Sequence, residues 1–263
     1  MKGERMPDKC PLAIRVSLDP VTVIAECAGV KLDPWQERLA REKGDFFACN
    51  SRQTGKSYAA CIALLSHCLQ ENDRLGICVS PTQRQSGLIL RTCRKLLFKI
   101  PPQGRPRLTK DTTTELRFQN GSTIMALPSG AVGGGANLRG LSPSLMCIEE
   151  ASFLPDALYF DVLKPMLGVT RGRTLIISSP NACTGWAYDL FCSGTMEIIE
   201  VKAEDCPRIS KTWLEKEKKS MPKAAFLREY CCRWISLGAG IFDPDAVARA
   251  FVKMTDNPMR EFL

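Results

Sequence analysis

A short loop between two apolar runs constrains the fold of this chain more than any other segment. Residues 50–57 read Asn-Ser-Arg-Gln-Thr-Gly-Lys-Ser, after an apolar run at 46–49 and before a helix-forming run at 58–65. The unpaired N–H groups and the dipole at the start of a helix attract an anion, so this order predicts a phosphate-binding loop between a strand and a helix. Lys56 is expected to reach the terminal phosphates of a nucleotide, and the Ser57 hydroxyl to ligate magnesium.

The loop departs from the usual pattern at its first position, where Asn50 replaces a glycine. Asparagine tolerates left-handed backbone angles better than most residues, so we expect the loop to close. The residues expected to contact the nucleotide within this loop are Asn50, Ser51, Arg52, Gln53, Thr54, Gly55, Lys56 and Ser57.

The composition is that of a globular protein. The 263 residues suffice for one large α/β domain with an appendage. A net charge of +8 favours an anionic partner, although it is weak support for nucleic acid on its own. The sequence has neither a run of about 18 apolar residues nor the apolar stretch of a secretory signal near Met1. We therefore expect no membrane association.

The thirteen cysteines suggest a disulfide or zinc protein until their spacing is considered. Their number is odd, no C-x-x-C occurs, and several lie inside apolar runs. Free cysteine behaves as a small buried hydrophobe, so we predict reduced, structural thiols in an intracellular protein. The single histidine, His67, is interpreted as a packed or surface residue rather than as a catalyst or metal ligand.

Strand and helix patterns alternate along most of the chain, which predicts a largely parallel sheet covered by helices on both faces. Strands are predicted at 46–49, 75–79, 145–148 and 174–178, with a hairpin at 115–127 that turns at Asn120-Gly121. Helices are predicted at 21–28, 35–43, 83–100, 211–219 and 223–231. The domain boundaries follow as a leader over 1–30, a nucleotide-binding core over 31–205, a helical subdomain over 206–242 and a further connection over 243–263.

Two acidic residues, Glu149 and Glu150, follow the apolar run at 145–148. Ligands bind outside the carboxyl ends of parallel strands, and neighbouring side chains of a strand point in different directions. We therefore interpret Glu149 as the acid on the magnesium side and Glu150 as the general base for the attacking water. The alternative is a solvated helix start after a core strand.

Two further segments are candidates by position. Ser178-Ser179-Pro180 ends another apolar strand, where helicase-like ATPases sense the γ-phosphate and relay its loss. Trp35-Gln36 shortly precedes the first strand, and the Gln36 amide offers a paired donor and acceptor for an adenine edge. Each segment alone is also compatible with an ordinary turn or surface position.

Taken in order, five motifs resemble the large terminase subunit of tailed bacteriophages over roughly residues 30–235, the ATPase half of that family. They are Trp35-Gln36, the loop at 51–57, Asn137-Leu138-Arg139-Gly140, Ile148-Glu149-Glu150-Ala151 and Ser178-Ser179-Pro180. The arginine at position 52 is the most specific part. The resemblance implies a P-loop NTPase of the additional-strand type, with a mainly parallel sheet flanked by helices and a small helical C-terminal subdomain.

The resemblance also implies a function and partners. Members of the family hydrolyse ATP with Mg²⁺ to drive double-stranded DNA into a procapsid, as a ring on the portal protein, with a small terminase subunit recognising the DNA. By resemblance, the ring is pentameric and works in the cytoplasm of the bacterial host as a viral non-structural protein. Arg52 is expected to touch the nucleotide phosphates. Arg139 is expected to serve as an arginine finger for the neighbouring subunit, or else as a structural contact to a loop carbonyl, and residues 178–180 to couple hydrolysis to movement.

Two departures from the family matter. The family usually has Asp-Glu where this chain has Glu149-Glu150, and the extra methylene predicts slower turnover. Family members also carry a C-terminal nuclease domain, for which too few residues follow 241–245. We expect no nuclease activity from this polypeptide.

Three alternatives remain open on sequence alone. One is a helicase-like DNA translocase, and another is an ATP-binding remnant of a prophage or split terminase with little hydrolysis. The third is that the basic residues proposed to contact DNA are simply exposed to solvent, because solvated basic faces are common. The candidate contacts are a basic stripe of Arg84, Arg91, Lys95 and Lys99, whose spacing places them on one helix face, and a cluster of Arg105, Arg107 and Lys110.

Overall fold

A computed structural model describes residues 10–130, 135 and 138–236. Its centre is an eight-stranded sheet with the order β3-β4-β5-β2-β6-β7-β1-β8. The strands are β1 (Phe46–Asn50), β2 (Leu75–Ser80), β3 (Leu108–Asp111), β4 (Glu115–Phe118), β5 (Thr123–Pro128), β6 (Leu145–Glu149), β7 (Arg173–Ser178) and β8 (Glu197–Val201). The six strands β5-β2-β6-β7-β1-β8 are parallel to one another. β4 is antiparallel to β5, and β3 is antiparallel to β4, so these two strands extend one edge of the sheet.

Helices and helical turns connect these strands. They are α1 (Leu12–Leu18), α2 (Pro20–Ala28), α3 (Pro34–Arg41), α4 (Lys56–Gln70), α5 (Gln83–Lys99), a 3₁₀ turn (Ala151–Phe153), α6 (Asp156–Leu158), a π-helical turn (Tyr159–Leu163), α7 (Lys164–Met166), α8 (Trp186–Ser193), a second 3₁₀ turn (Ala203–Asp205), α9 (Lys211–Ser220) and α10 (Lys223–Tyr230). Within the described residues, no helix is long and apolar enough to cross a membrane.

The predicted P-loop α/β fold is confirmed. Every strand of the parallel core that was predicted is present, and the turn at Asn120-Gly121 joins β4 to β5, with Gly121 at a φ of +83°. Local signals fix the helix ends: Asp33 is the N-cap of α3, where its N–H donates to the Gln36 side chain at 3.0 Å, and α2 ends at Gly29 in a left-handed conformation. Strands β3 and β8 were not predicted, because β3 is largely exposed and β8 is a half-buried edge strand. Helices α1 and α8 were also not predicted.

The sheet is buried on both faces. Alternate residues of β1 show this directly, since Phe46 and Ala48 belong to one apolar cluster and Phe47 and Cys49 to the other. Helices α2 to α5 supply the first cluster, and residues from the 3₁₀ turn at 151 through α8 supply the second. All thirteen cysteines are free, and eight of them are buried. The eight buried thiols agree with the predicted role of cysteine as a small apolar core residue, and the redox state stays a prediction.

Several expectations lie outside the described residues. Residues 1–9 of the leader, Asn137 of the family motif, and the segment 237–263 with its predicted interdomain connection are among them. The predicted boundaries at 30, 205 and 242 remain predictions.

Candidate nucleotide-binding site

The phosphate loop connects the carboxyl end of β1 to the start of α4, as the sequence predicts. Asn50, however, is the last residue of β1 rather than a left-handed turn residue. The left-handed conformations fall on Gln53, with φ +62°, and on Gly55, with φ +91°. A Cβ at Gly55 would stand 2.6 Å from Gln36 Nε2, so the position accepts only glycine without rearrangement. The expected reason for tolerance at Asn50 was therefore wrong, since the strand, and not a turn, accommodates it.

Lys56 is buried at the first position of α4. Its ammonium group donates to the carbonyl oxygens of Asn50 (2.8 Å) and Ser51 (2.9 Å) and to Ser179 Oγ (3.0 Å). Burial lowers the pKa of Lys56, and the nearby Glu150 carboxylate acts in the opposite direction. The lysine is thus a charged group held by neutral oxygen atoms, an environment that a phosphate would improve.

Glu149 lies at the end of β6, directly across from the loop. One of its carboxylate oxygens accepts a hydrogen bond from Ser57, and the other accepts one from Ser80 at 2.9 Å. Burial raises the pKa of the Glu149 carboxyl group, while the two serine hydrogen bonds oppose that shift. A carboxylate beside a hydroxyl is a set of hard oxygen donors that suits Mg²⁺. Ser80 was not singled out beforehand, although it ends a predicted strand at the same edge of the sheet.

Glu150 points elsewhere than its neighbour. Its backbone adopts a left-handed conformation, with φ +51°, and its N–H donates to the Ile177 carbonyl at 2.8 Å. Whereas Glu149 is only 8% exposed, Glu150 lines an open cleft of about 660 Å³. The residues around this cleft are Arg52, Gln53, Gly55, Lys56, Ser57, Tyr58, Pro81, Gln85, Glu150 and Phe153.

The carboxyl end of β7 contacts both halves of the site. Ser179 Oγ accepts the hydrogen bond from Lys56, and Ser178 Oγ accepts one from the Ser152 N–H at 3.1 Å. Ser152 Oγ also donates to the Ser179 carbonyl at 2.8 Å. Ser178 and Ser179 therefore lie between the phosphate loop and the turn that follows Glu150, with the buried Pro180 directly after them. Ser152 was not predicted, because only the folded chain brings it to β7.

Trp35 and Gln36 lie behind the loop and do not line the cleft. The Gln36 side chain accepts the Asp33 N–H at 3.0 Å and donates weakly to the Gly55 carbonyl at 3.4 Å, so both of its polar ends are used within the protein. Trp35 packs against the apolar core. Their predicted contact with adenine remains a prediction.

Arg208 is a loop contact that the sequence did not reveal. Its guanidinium group donates to the Thr54 carbonyl at 2.7 Å and pairs with the Asp33 carboxylate, also at 2.7 Å. Hydrogen bonding to Asp33 raises the pKa of Arg208. The contact joins residues that are more than 150 positions apart in the chain, and no local pattern marks it.

Arg52 lies on the rim of the cleft, where it pairs with Glu229 of α10. The backbone N–H of Arg52 also donates to the backbone carbonyl of Glu229 at 2.9 Å. The side chain is 61% exposed, so it retains access to the cleft. The structure thus adds a contact with α10 to the predicted phosphate contact, which stays a prediction.

Arg139 is exposed in the turn at 138–140 and does not line the cleft of this single chain. Gly140, in the left-handed region at φ +85°, follows it. A role as an arginine finger would require a second subunit, so that role also remains a prediction.

The two basic surfaces differ. The residues Arg84, Arg91, Lys95 and Lys99 are all exposed on α5, as their spacing predicts. In the second cluster, Arg105 donates to the Ile100 carbonyl at 2.9 Å, and Lys110 pairs with Glu115 at 2.6 Å. Those two side chains already bind groups of the protein, which weakens the predicted role of that cluster in DNA binding.

A parallel sheet with this loop, a buried lysine at the helix start and a carboxylate on a nearby strand define a P-loop NTPase. The chain belongs to the terminase large subunit family, because residues 48–249 match the model of the N-terminal region of T4-like virus type large subunits. The resemblance seen in the sequence motifs is confirmed.

Individual relatives agree with this assignment. The chain is 23% identical over 227 residues to the terminase large subunit of Thermus phage G20c, which covers 74% of this chain and 47% of the relative. The chain thus spans about half the length of the curated relatives it matches. The large terminase ATPase domain of Thermus phage P74-26 superposes with a TM-score of 0.68 and 21% identity, covering 80% of this chain and 97% of that one.

A more distant structure shows the same fold. The large terminase of the HK97 bacteriophage superposes with a TM-score of 0.62 at 16% identity, covering 78% of this chain and 51% of that one. A large terminase from a thermophilic bacteriophage, with the same TM-score of 0.62 at 13% identity, covers 78% of this chain and 54% of its own, and its structure contains ADP.

Proposed function

We propose that this chain hydrolyses ATP, with Mg²⁺, to move double-stranded DNA during the packaging of a phage genome. The observation that carries the proposal is the contact between Ser57 of the phosphate loop and Glu149 of β6, with Lys56 directly beside it. This contact joins the groups expected for phosphate and magnesium at one end of the cleft. Family membership and the ADP-bound terminase of the thermophilic phage support the same nucleotide chemistry.

Each side chain has a proposed task in this reaction. Lys56 would exchange its bonds to the Asn50 and Ser51 carbonyls for the terminal phosphates. Ser57 and Glu149 would hold the magnesium ion, which, when bound, neutralises charge on the phosphates. Glu150, on the open side of the cleft, would accept a proton from the attacking water.

Arg52 and Ser179 are proposed to respond to the terminal phosphate from opposite sides. Arg52 reaches the cleft from its pair with Glu229, and Ser179 contacts Lys56 directly. Loss of the phosphate would change both contacts, and Ser152 would pass the change at Ser179 to the turn after Glu150.

The partners are proposals that follow from the family. Double-stranded DNA, a portal protein and a small terminase subunit would be bound in the host cytoplasm by a ring of subunits. Arg139 would complete the cleft of a neighbouring subunit, and its exposure is compatible with that role. The exposed basic stripe on α5 is the better supported DNA surface, because the alternative cluster is partly paired within the protein.

The test is phosphate release from ATP, measured with and without Mg²⁺ and with and without double-stranded DNA. We expect Mg²⁺-dependent turnover that DNA stimulates and that Lys56→Ala abolishes, while the surface change Lys202→Ala leaves it intact. ATP binding without turnover, at concentrations at which the subunits associate, would favour the ATP-binding remnant instead. Glu149→Asp is the companion variant. If turnover is absent in the wild type and restored in this variant, the longer side chain of Glu149 is the cause of the defect.

A further inference from the structure

A second basic cavity lies at the edge of the sheet opposite the nucleotide cleft. It has a volume of about 200 Å³ and is formed by the ends of α3 and α4 and the starts of β6 and β7. Its basic side chains are Arg41, Lys43, Arg74, Arg171 and Arg173, and its acidic side chains are Glu42 and Glu71. The cavity therefore has more positive than negative groups in its wall.

Three of these cations lack an acidic partner. Arg41 pairs with Asp19 and Glu37, and Arg74 pairs with Glu71. Within the described part of the chain, Lys43, Arg171 and Arg173 have no carboxylate within 4.0 Å. Burial lowers the pKa of Arg173, whose guanidinium group donates only to the backbone carbonyl of Glu42 among its described contacts.

The acid closest to this group is also engaged. The Glu42 carboxylate accepts the N–H groups of Lys43 at 2.8 Å and of Gly44 at 3.1 Å. These bonds lower the pKa of Glu42, and the charge of Arg173 acts in the same direction. The charge of Asp45, whose carboxylate accepts the Thr174 N–H at 2.6 Å, also acts on Arg173, so both acids near this cation are already engaged by backbone N–H groups.

The loop that supplies two of the arginines is held in place by short contacts. Thr170 Oγ1 donates to the Pro143 carbonyl at 2.5 Å. A Cβ at Gly172 would stand 2.5 Å from the same oxygen, so only glycine fits there. Arg171 and Arg173 flank this glycine, and the loop consequently presents two guanidinium groups to one small space.

His67 is a titratable side chain in the wall of this cavity. Its Nε2 lies 2.7 Å from Ser144 Oγ, and both residues line the cavity. Burial, together with the charges of Arg173 and Arg74, lowers the pKa of His67 to about 4, with Glu71 opposing them. His67 lies eleven positions after Lys56 on α4, about 16 Å along the helix axis.

We propose that this cavity binds a phosphate-type oxyanion through Lys43, Arg171 and Arg173. Its volume is below the roughly 300 Å³ at which ligand pockets for whole small molecules begin, so one phosphate-sized group fits better than a nucleotide. The shared chemistry is a tetrahedral oxyanion, taken either as a free ion or as a backbone phosphate of double-stranded DNA. Planar guanidinium groups suit such an anion because they donate two parallel hydrogen bonds. The proposal is independent of ATP hydrolysis.

The test uses the only histidine of the chain, whose ring protons give one set of NMR signals. At pH 5.5 and constant ionic strength, sulfate is compared with chloride and with a short DNA duplex. A bound oxyanion should raise the pKa of His67 by about 1 or more, because opposite charges within about 6 Å have effects of this size. His67 would then become partly protonated at a pH at which it is otherwise neutral.

Variants assign the effect to the cavity. The double variant Lys43→Gln with Arg171→Gln changes two exposed side chains. It should raise the half-saturating sulfate concentration at least about tenfold, as expected for the loss of charged hydrogen bonds. Lys216→Gln with Lys219→Gln removes the same charge from the exposed face of α9 and should leave the response unchanged. A response to both sulfate and duplex identifies a phosphate subsite of DNA, and a response to sulfate alone identifies a free anion. Equal effects of sulfate and chloride, or an unchanged response in the cavity variant, would overturn the proposal.

Discussion

The Lys56 ammonium group and the Ser179 hydroxyl lie 3.0 Å apart, although 123 positions separate them in the chain. This hydrogen bond joins the start of α4 to the end of β7 across the sheet, since β1 and β7 are neighbours. The lysine expected to hold phosphate is therefore also in contact with the strand expected to sense its loss.

Replacing Ser179 by alanine should lower kcat for ATP hydrolysis by about tenfold or more, since a hydrogen bond to a charged group contributes about 1.5–3 kcal/mol. Nucleotide affinity should change little, because Lys56, Ser57 and Glu149, which are proposed to bind the phosphates and magnesium, are unchanged. Steady-state hydrolysis and equilibrium binding of ADP measure the two effects. The exposed Ser220→Ala is the control, and a loss of affinity equal to the loss of kcat would contradict the assigned role.

Replacing Glu149 by glutamine should abolish Mg²⁺-dependent turnover and yet stabilise the nucleotide-free protein. Burial raises the pKa of Glu149, so the folded state binds a proton more readily than the unfolded state. The contribution of Glu149 to the free energy of unfolding therefore falls as pH rises from about 4.5 through the raised pKa. Above this window glutamine avoids an ionised buried group, and each kcal/mol gained raises Tm by about 2–4 °C.

Thermal unfolding at several pH values tests this sign. The stabilisation by Glu149→Gln should be larger at pH 7 than at pH 4.5, because the raised pKa makes the wild-type carboxyl group more protonated at the lower pH. The exposed change Glu215→Gln provides the control for altered net charge. A variant less stable than wild type at pH 7 would show that the bonds from Ser57 and Ser80 outweigh burial.

Replacing Glu229 by glutamine should increase affinity for ADP by up to about fivefold. The variant weakens the ion pair that holds Arg52 on the rim of the cleft, and a pair whose arginine is 61% exposed is screened by water and contributes about 0–1 kcal/mol. Stability should change little for the same reason. Isothermal titration with ADP measures the effect, with Glu204→Gln, which removes the acid of another exposed pair, as the control. Unchanged or weaker binding would show that Arg52 acts on the nucleotide only while Glu229 orients it.

Replacing the four basic residues of the α5 stripe by glutamine should weaken binding of double-stranded DNA and make it less dependent on salt. Each lost phosphate contact reduces the slope of log K against log salt concentration by about 0.9. Fluorescence anisotropy of a labelled duplex at several salt concentrations gives this slope. The matched variant removes Lys211, Lys216, Lys218 and Lys219, which lie on α9. Equal slopes for the two variants would place the DNA surface elsewhere.

The parts of the fold that the sequence predicted are those with strong local signals. β1, β6 and β7 are continuous apolar runs that end in polar residues, and the cap at Asp33 marks the start of α3. β8 escaped because it is an edge strand in which Glu197 and Glu200 interrupt the apolar pattern. Local patterns therefore found the centre of the sheet but not its edges.

The residues of the candidate site also fall into those that local sequence patterns predicted and those that they did not. Lys56, Ser57, Glu149 and Glu150 were found because a spacing or a strand end marks them, and the structure places them around one cleft or against its wall. Arg208, Ser152 and Glu229 reach the site only through tertiary structure, from segments far along the chain. Sequence spacing cannot anticipate contacts of this kind, because they depend on how separate elements pack.

Gln53 and Glu150 share a property that bears on how the cleft works. Both line it, and both hold a non-glycine backbone in the left-handed region, at φ +62° and +51°. Such conformations cost about 1 kcal/mol or more each and persist only where the surroundings enforce them. Glycine at either position would remove this cost, but its greater backbone freedom would leave the conformation of the turn less fixed. Two turns that line the cleft are thus held in fixed conformations at the expense of part of the folding free energy.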